Sequence, residues 1–168
     1  LMFVPVLLSI SATAGCSEQS KRAVAPDGNF SSYRKTVPSD AGIPSRLLSR
    51  GRVSLVDPFI GTGAHGHAFP GAARPFGMVQ ASPDNEYYGW DWCSGYHWYG
   101  KKIVGFSHKH LSGTGARELG DISFMPSTAP DVHGSSFSHN REFASPGYYA
   151  VRLDSGVTAE FTAGARSA

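Results

Sequence analysis

The alternation of apolar and polar positions divides the chain near residue 50. Beyond it, short β-like runs recur at residues 53–56, 78–81, 103–107, 122–125, 148–153 and 158–162, separated by Gly, Pro, Asn and Asp. The alternation in Tyr149-Ala150-Val151-Arg152-Leu153 and in Val157-Thr158-Ala159-Glu160-Phe161-Thr162 is that of a sheet with one face in water. No segment carries a helical period. Many short strands joined by Gly- and Pro-rich connections predict a mainly β fold, an antiparallel β-sandwich whose long loops hold the unusual residues. The last predicted strand is followed almost at once by the end at Ala168, so the chain reads as cut, with further strands or a further domain expected beyond it.

Before residue 50 the pattern is different. Residues 1–15 form an apolar run that passes into small residues and ends at Cys16, and this resembles a bacterial lipoprotein signal with its acylated cysteine. The run is too short to span a bilayer. It lacks a basic start, and Thr13 stands where such sites usually carry Leu. The reading is a signal peptide over residues 1–16, lipidation at Cys16, and a bacterial cell-envelope location, periplasmic or anchored to the outer membrane, with secretion as the alternative. Membrane contact is expected only through that anchor. A lipidated Cys16 leaves Cys93 without a partner in the chain, so no disulfide is proposed. Residues 17–50, rich in Ser, Pro, Arg and Lys, have no sustained period and read as a disordered tether. Residues 51–168 are then the folded unit.

Charge narrows the function classes. The net charge is +2, but 7 of the 15 basic residues precede Val53. From Val53 onward 8 basic residues face 10 acidic ones, a balance of −2. That excludes nucleic acid as a partner, because phosphate contacts need a basic face on the folded part.

All seven histidines, all three tryptophans and Cys93 lie between His65 and His139. Such rings offer a flat apolar face and a directional hydrogen-bonding edge, which suits a sugar-binding or metal-binding surface. Gly61-Thr62-Gly63-Ala64-His65-Gly66 fits the dinucleotide pattern, yet Pro70 and Pro75 fall where the phosphate-binding helix would run. A Walker-type loop is absent from the sequence as well. His65-x-His67 and His108-x-His110 each put two imidazoles on one side of an extended segment. Joined by Asp91, Glu118 or Asp121 they would make a zinc-dependent hydrolase; the plainer reading is that they shape a pocket. The densest segment is Gly89-Trp90-Asp91-Trp92-Cys93-Ser94-Gly95-Tyr96-His97-Trp98-Tyr99. An indole stacks on a pyranose face while Asp, Ser and His bind its hydroxyls, and an indole serves equally as a core plug. In an extended segment Trp90 and Trp92 share one side and Asp91 takes the other. Glycoside hydrolysis needs two carboxylates, but no spacing singles out a pair, and Asp57 and Asp84, each beside a proline, read as turn formers.

The succession Val56-Asp57-Pro58-Phe59-Ile60-Gly61-Thr62-Gly63, His65-Gly66-His67, Phe69-Pro70-Gly71-Ala72 and Pro75-Phe76-Gly77-Met78 closely resembles the amino-terminal region of glycoside hydrolase family 92. The likeness continues through Gly89-Trp90-Asp91-Trp92-Cys93-Ser94-Gly95-Tyr96-His97, His108, His110-Leu111-Ser112-Gly113-Thr114-Gly115 and Ala144-Ser145-Pro146-Gly147-Tyr148-Tyr149. Ala64 and Lys109 depart from the usual pattern, and a short polar insertion after Tyr99 is missing. The resemblance implies an exo-acting, calcium-dependent, inverting α-mannosidase acting on mannose-terminated glycans. It also implies that the catalytic acids and the calcium ligands lie in a carboxy-terminal helical domain outside this chain, so that this part alone is inactive. On that analogy the chain lines the sugar pocket. Trp90 and Trp92 are expected to stack on sugar, Asp91 and His97 to bind hydroxyls, and His108, His110, Ser112, Gly113 and Thr114 to complete the contacts. The alternative is a stand-alone carbohydrate-binding module on the cell surface.

Overall fold

The computed structural model describes residues 51–168 apart from Glu118. The expected leader, the lipidation site Cys16 and the tether lie outside the described residues. Gly51–Leu55 forms a short 3-10 turn rather than the strand expected at residues 53–56. Its apolar side chains Val53, Leu55 and Val56 stay exposed, so nothing rewards extending the backbone for pairing.

Six strands follow: β1 (Ser82–Asn85), β2 (Lys102–Ser107), β3 (Ser123–Phe124), β4 (Ser135–Ser145), β5 (Tyr148–Leu153) and β6 (Thr158–Thr162). All pairings are antiparallel. The order is β1-β2-β4-β5-β6, with β3 attached to β2. Pro83 is tolerated in β1 because the strand lies at an end of the order. Pro146 and Gly147 close the β4–β5 hairpin, and Gly147 supplies the positive φ of 79° that the turn requires.

The pivot of the fold is β4. It pairs with β2 through Ser135 and Ser136, and with β5 through Phe137 and then residues from Glu142 to Ser145. The register breaks between Phe137 and Glu142, and such an irregularity bends a strand. The bend folds the sheet onto itself. β2 and β6 are three strand spacings apart along the order, about 14 Å if the sheet were flat. Yet the rings of Phe106 on β2 and Phe161 on β6 lie 4.9 Å apart. The molecule is therefore a mainly antiparallel β fold in two facing layers, as the strand pattern predicts.

Between the layers Ile103, Phe106, Phe137, Tyr149, Val151 and Leu153 are buried together, each apolar side chain worth roughly 1.5–3 kcal/mol of transfer free energy. β6 alternates as expected, with Ala159 inward and Thr158 and Glu160 outward. β5 departs from the expected wet face. Tyr148 and Ala150 are buried with Phe143 on its second side, which leaves Arg152 as its one exposed residue.

Candidate functional site

Two loops meet over β1. One connects β1 to β2 and carries the indoles; the other connects β2 to β3 and carries His108 and His110. In the first, Trp90–Trp92 is a 3-10 turn, closed by Trp92 N–H to Gly89 O at 3.0 Å and Cys93 N–H to Trp90 O at 3.0 Å. The extended arrangement with both indoles on one side is thus corrected, because a 3-10 turn rotates about a third of a circle per residue and sends three successive side chains apart. Trp90 is 44% exposed, whereas Asp91 and Trp92 are buried.

Trp92 stacks on His97, with ring centroids 4.1 Å apart. His97 is buried and its ring is fixed from both sides: Nε2 donates to Ala64 O at 3.1 Å, and Nδ1 accepts the Tyr99 N–H at 3.2 Å. A ring with one donating and one accepting nitrogen is neutral. Burial pushes the proton affinity of His97 below the usual imidazole range, outweighing the hydrogen bond to Ala64 and the charge of Asp91, which act the other way.

Behind this stack opens a cleft of about 200 Å³ bounded by Asp84, Trp92, Cys93, Gly95, His110 and Arg117. His110 is buried and anchored by Nδ1 to Gln80 O at 2.9 Å, while its Nε2 lies 3.0 Å from Asp84 Oδ1 and 3.1 Å from Ser107 Oγ. Two polar atoms of the cleft have no partner among the described residues: Asp84 Oδ2, an acceptor, and Trp92 Nε1, a donor. Buried polar groups are nearly always paired, so each of these atoms is short of a hydrogen bond. Gly95 lets the Asp84–His110 pair pack directly against the backbone. Its φ is 86°, and a Cβ there would sit 2.5 Å from Asp84 Oδ1 and 2.9 Å from the His110 ring. At the mouth Arg117 lies over the Tyr87 ring at 4.5 Å, and Lys109 pairs with Asp121 at 3.6 Å. Cys93 is buried, and desolvation raises its thiol above the ordinary range, which makes it a poor nucleophile.

On the other side of the indole turn, Asp91 Oδ1 is 2.6 Å from His65 Nδ1 and 3.4 Å from His67 Nε2. The Trp90 ring packs edge-on against His67 at 4.2 Å, and its Nε1 donates to Gly115 O at 2.7 Å. Gly113 N–H to His67 O, at 2.8 Å, ties the second loop to the same place. Ser112, Gly113 and Thr114 form its exposed crest. His108 stands apart, donating from Nδ1 to Ile122 O at 2.9 Å beside Phe124.

The four histidines therefore do not converge as the zinc reading requires: His65 and His67 gather on Asp91, His110 on Asp84, and His108 on a backbone carbonyl. Among the described residues no group of three or more His, Cys, Asp or Glu is arranged to hold a metal ion. Calcium takes about six to eight oxygens, and these residues offer no such set. Sequence reasoning misread Asp84, whose neighbour Pro83 suggested a turn; only its partner His110, distant in sequence, reveals its place. The pairing of His65 with Asp91 is equally non-local.

Residues 55–168 match the family model of the glycosyl hydrolase family 92 N-terminal domain. The chain belongs to glycoside hydrolase family 92. A relative described as an uncharacterized secreted glycosidase, from Arthroderma benhamiae, is 37% identical in an alignment of 122 residues that covers 64% of this chain and 15% of that protein. Among solved structures, a family GH92 α-mannosidase from Bacteroides thetaiotaomicron in complex with mannoimidazole is 44% identical, with a TM-score of 0.63, covering 67% of this chain and 17% of that one. Another GH92 glycosyl hydrolase is 29% identical with a TM-score of 0.58, over the same shares. The chain spans about one sixth of the length of these relatives.

Proposed function

We propose that this chain is the sugar-lining part of an exo-acting, inverting α-mannosidase that works on mannose-terminated glycans outside the cytoplasm. Membership of family 92 and the likeness to a solved α-mannosidase support the substrate class. The secreted glycosidase among the relatives supports the location. In an inverting mechanism one carboxyl protonates the leaving oxygen while a second activates water on the opposite face. The carboxylates around these loops are already engaged, Asp84 with His110 and Asp91 with His65. On the family resemblance, the acid and base, and the calcium ligands, belong to the remainder of the longer enzyme.

The observation that carries the reading is the unpaired couple in the cleft, an indole N–H and a carboxylate oxygen. A sugar hydroxyl both donates and accepts, so it is a group able to satisfy either atom once the side chain turns toward the cleft. Titrating the chain with methyl α-mannoside, followed by the indole N–H signals in NMR spectra, tests this. The Trp92 signal is expected to move, and Asp84→Asn to weaken binding about 10-fold or more, the scale of a hydrogen bond to a charged group. A stationary Trp92 signal, or an equal response to methyl α-glucoside, would overturn the mannoside reading.

A further inference from the structure

The Asp91 cluster has a geometry the cleft does not use. A carboxylate oxygen only accepts, so the contact of 2.6 Å commits the His65 Nδ1–H to Asp91 and, in the neutral ring, leaves Nε2 as an accepting lone pair. Asp91 is buried, whereas the His65 side chain is 56% exposed. The buried partner thus fixes the tautomer and orientation of an imidazole whose working edge meets solvent, the division of labour seen where a carboxylate steers a functional histidine. The loop is held in this shape at a cost. Ala64 and His67, flanking the segment, both have positive φ, 48° and 50°, and a Cβ at Gly66 would lie 2.1 Å from Gly61 O. Residues other than glycine keep such backbone only where their surroundings enforce it, and such sites cluster where function does. Beside His65, at 5.9 Å between ring centroids, stands the half-exposed Trp90. Its N–H is spent on Gly115 O, so it offers an apolar face and no donor.

We propose that His65 is a second hydroxyl-binding group of the chain, accepting at Nε2 a hydrogen bond from a pyranose seated against Trp90, and that Asp91 is the residue that positions it. Asp91 acts through His65 and does not itself touch sugar. His67 and His97 are the other titratable groups nearby, and both are buried and committed to partners. For the identity of the ligand the inference rests on the mannoside reading; the dyad itself stands on its own geometry.

The test uses the whole 168-residue chain, labelled with ¹⁵N. Long-range ¹H–¹⁵N spectra are expected to show His65 as the Nδ1–H tautomer, and methyl α-mannoside to shift its Nε2. His65→Ala is expected to weaken binding about 2–10-fold, the scale of one net hydrogen bond, while Trp92 still responds. Asp91→Ala weakens it similarly, and the double variant is no weaker than His65→Ala alone, because one residue works through the other. An Nε2–H tautomer, or additive losses in the double variant, would overturn the dyad. A moving Trp92 signal with an unmoved His65 would refute the second contact and leave the cleft standing; if neither moves, both fall.

Discussion

His97 is held neutral by burial, and this gives the chain an acid limit. Its folded-state proton affinity is lowered chiefly by desolvation, so below pH of about 6.5 the unfolded chain takes up the proton first. Stability is full above that point and falls as pH drops through it. Tyr148 and Tyr149 set the opposite limit. Burial raises both phenols, reinforced by the hydrogen bond to Glu160 for Tyr148 and by the charge of Glu142 for Tyr149. Above pH of about 10 the unfolded chain ionises first and stability declines. Urea midpoints measured from pH 5.5 to 11 are expected to form a plateau with two shoulders, the acid one flattened by His97→Gln and the alkaline one by Tyr149→Phe. A midpoint that rises from pH 7 to 5.5 would contradict the assignment for His97. At this scale the sequence was legible only where chemistry is local. Asp57 accepts the Phe59 N–H at 3.0 Å and is the turn former that its neighbouring proline suggested. Asp84, with the same kind of neighbour, is claimed instead by a histidine 26 residues on.

The least legible element is β4, the longest strand and absent from the sequence reading. Its run Ser135-Ser136-Phe137-Ser138-His139-Asn140-Arg141-Glu142 is mostly polar because, between the buried Phe137 and Phe143, the strand carries a hydrogen-bond network. The Glu142 side chain has no solvent access. It accepts from Tyr149 OH at 2.6 Å, Tyr96 OH at 3.0 Å and His139 Nδ1 at 2.6 Å. His139 in turn donates from Nε2 to Trp98 O at 2.7 Å and stacks on the Trp98 ring at 3.8 Å. One carboxylate therefore pins the aromatic loop to the bend of β4 and to β5. Glu142→Ala leaves the buried Tyr96 and Tyr149 hydroxyls and the half-buried His139 N–H unmatched and is expected to cost about 3–5 kcal/mol in urea unfolding. Glu142→Gln, which keeps an accepting oxygen, should cost less; equal losses would show that packing rather than hydrogen bonding is at stake. The terminal strands β5 and β6, by contrast, were read with their observed bounds, because apolar residues dominate their inward positions.

Over the whole molecule the layered β fold was legible and the place where the sheet bends was not. Short runs punctuated by Gly and Pro announce antiparallel strands, but the closure of β6 over β2 depends on a register break inside a strand whose apolar residues are too sparse to show a period. The shared interior makes the two layers one cooperative unit, since Phe106, Phe137, Tyr149 and Ala159 come from four strands of a single cluster. The buried thiol of Cys93 sits at the junction of that unit and the indole turn. A maleimide added to the native chain should leave Cys93 untouched, and mass spectrometry should find it modified only as fast as the domain opens. Prompt labelling under native conditions would mean that the turn breathes far more than its packing allows. Cys93 is thus an internal clock for the opening of the domain.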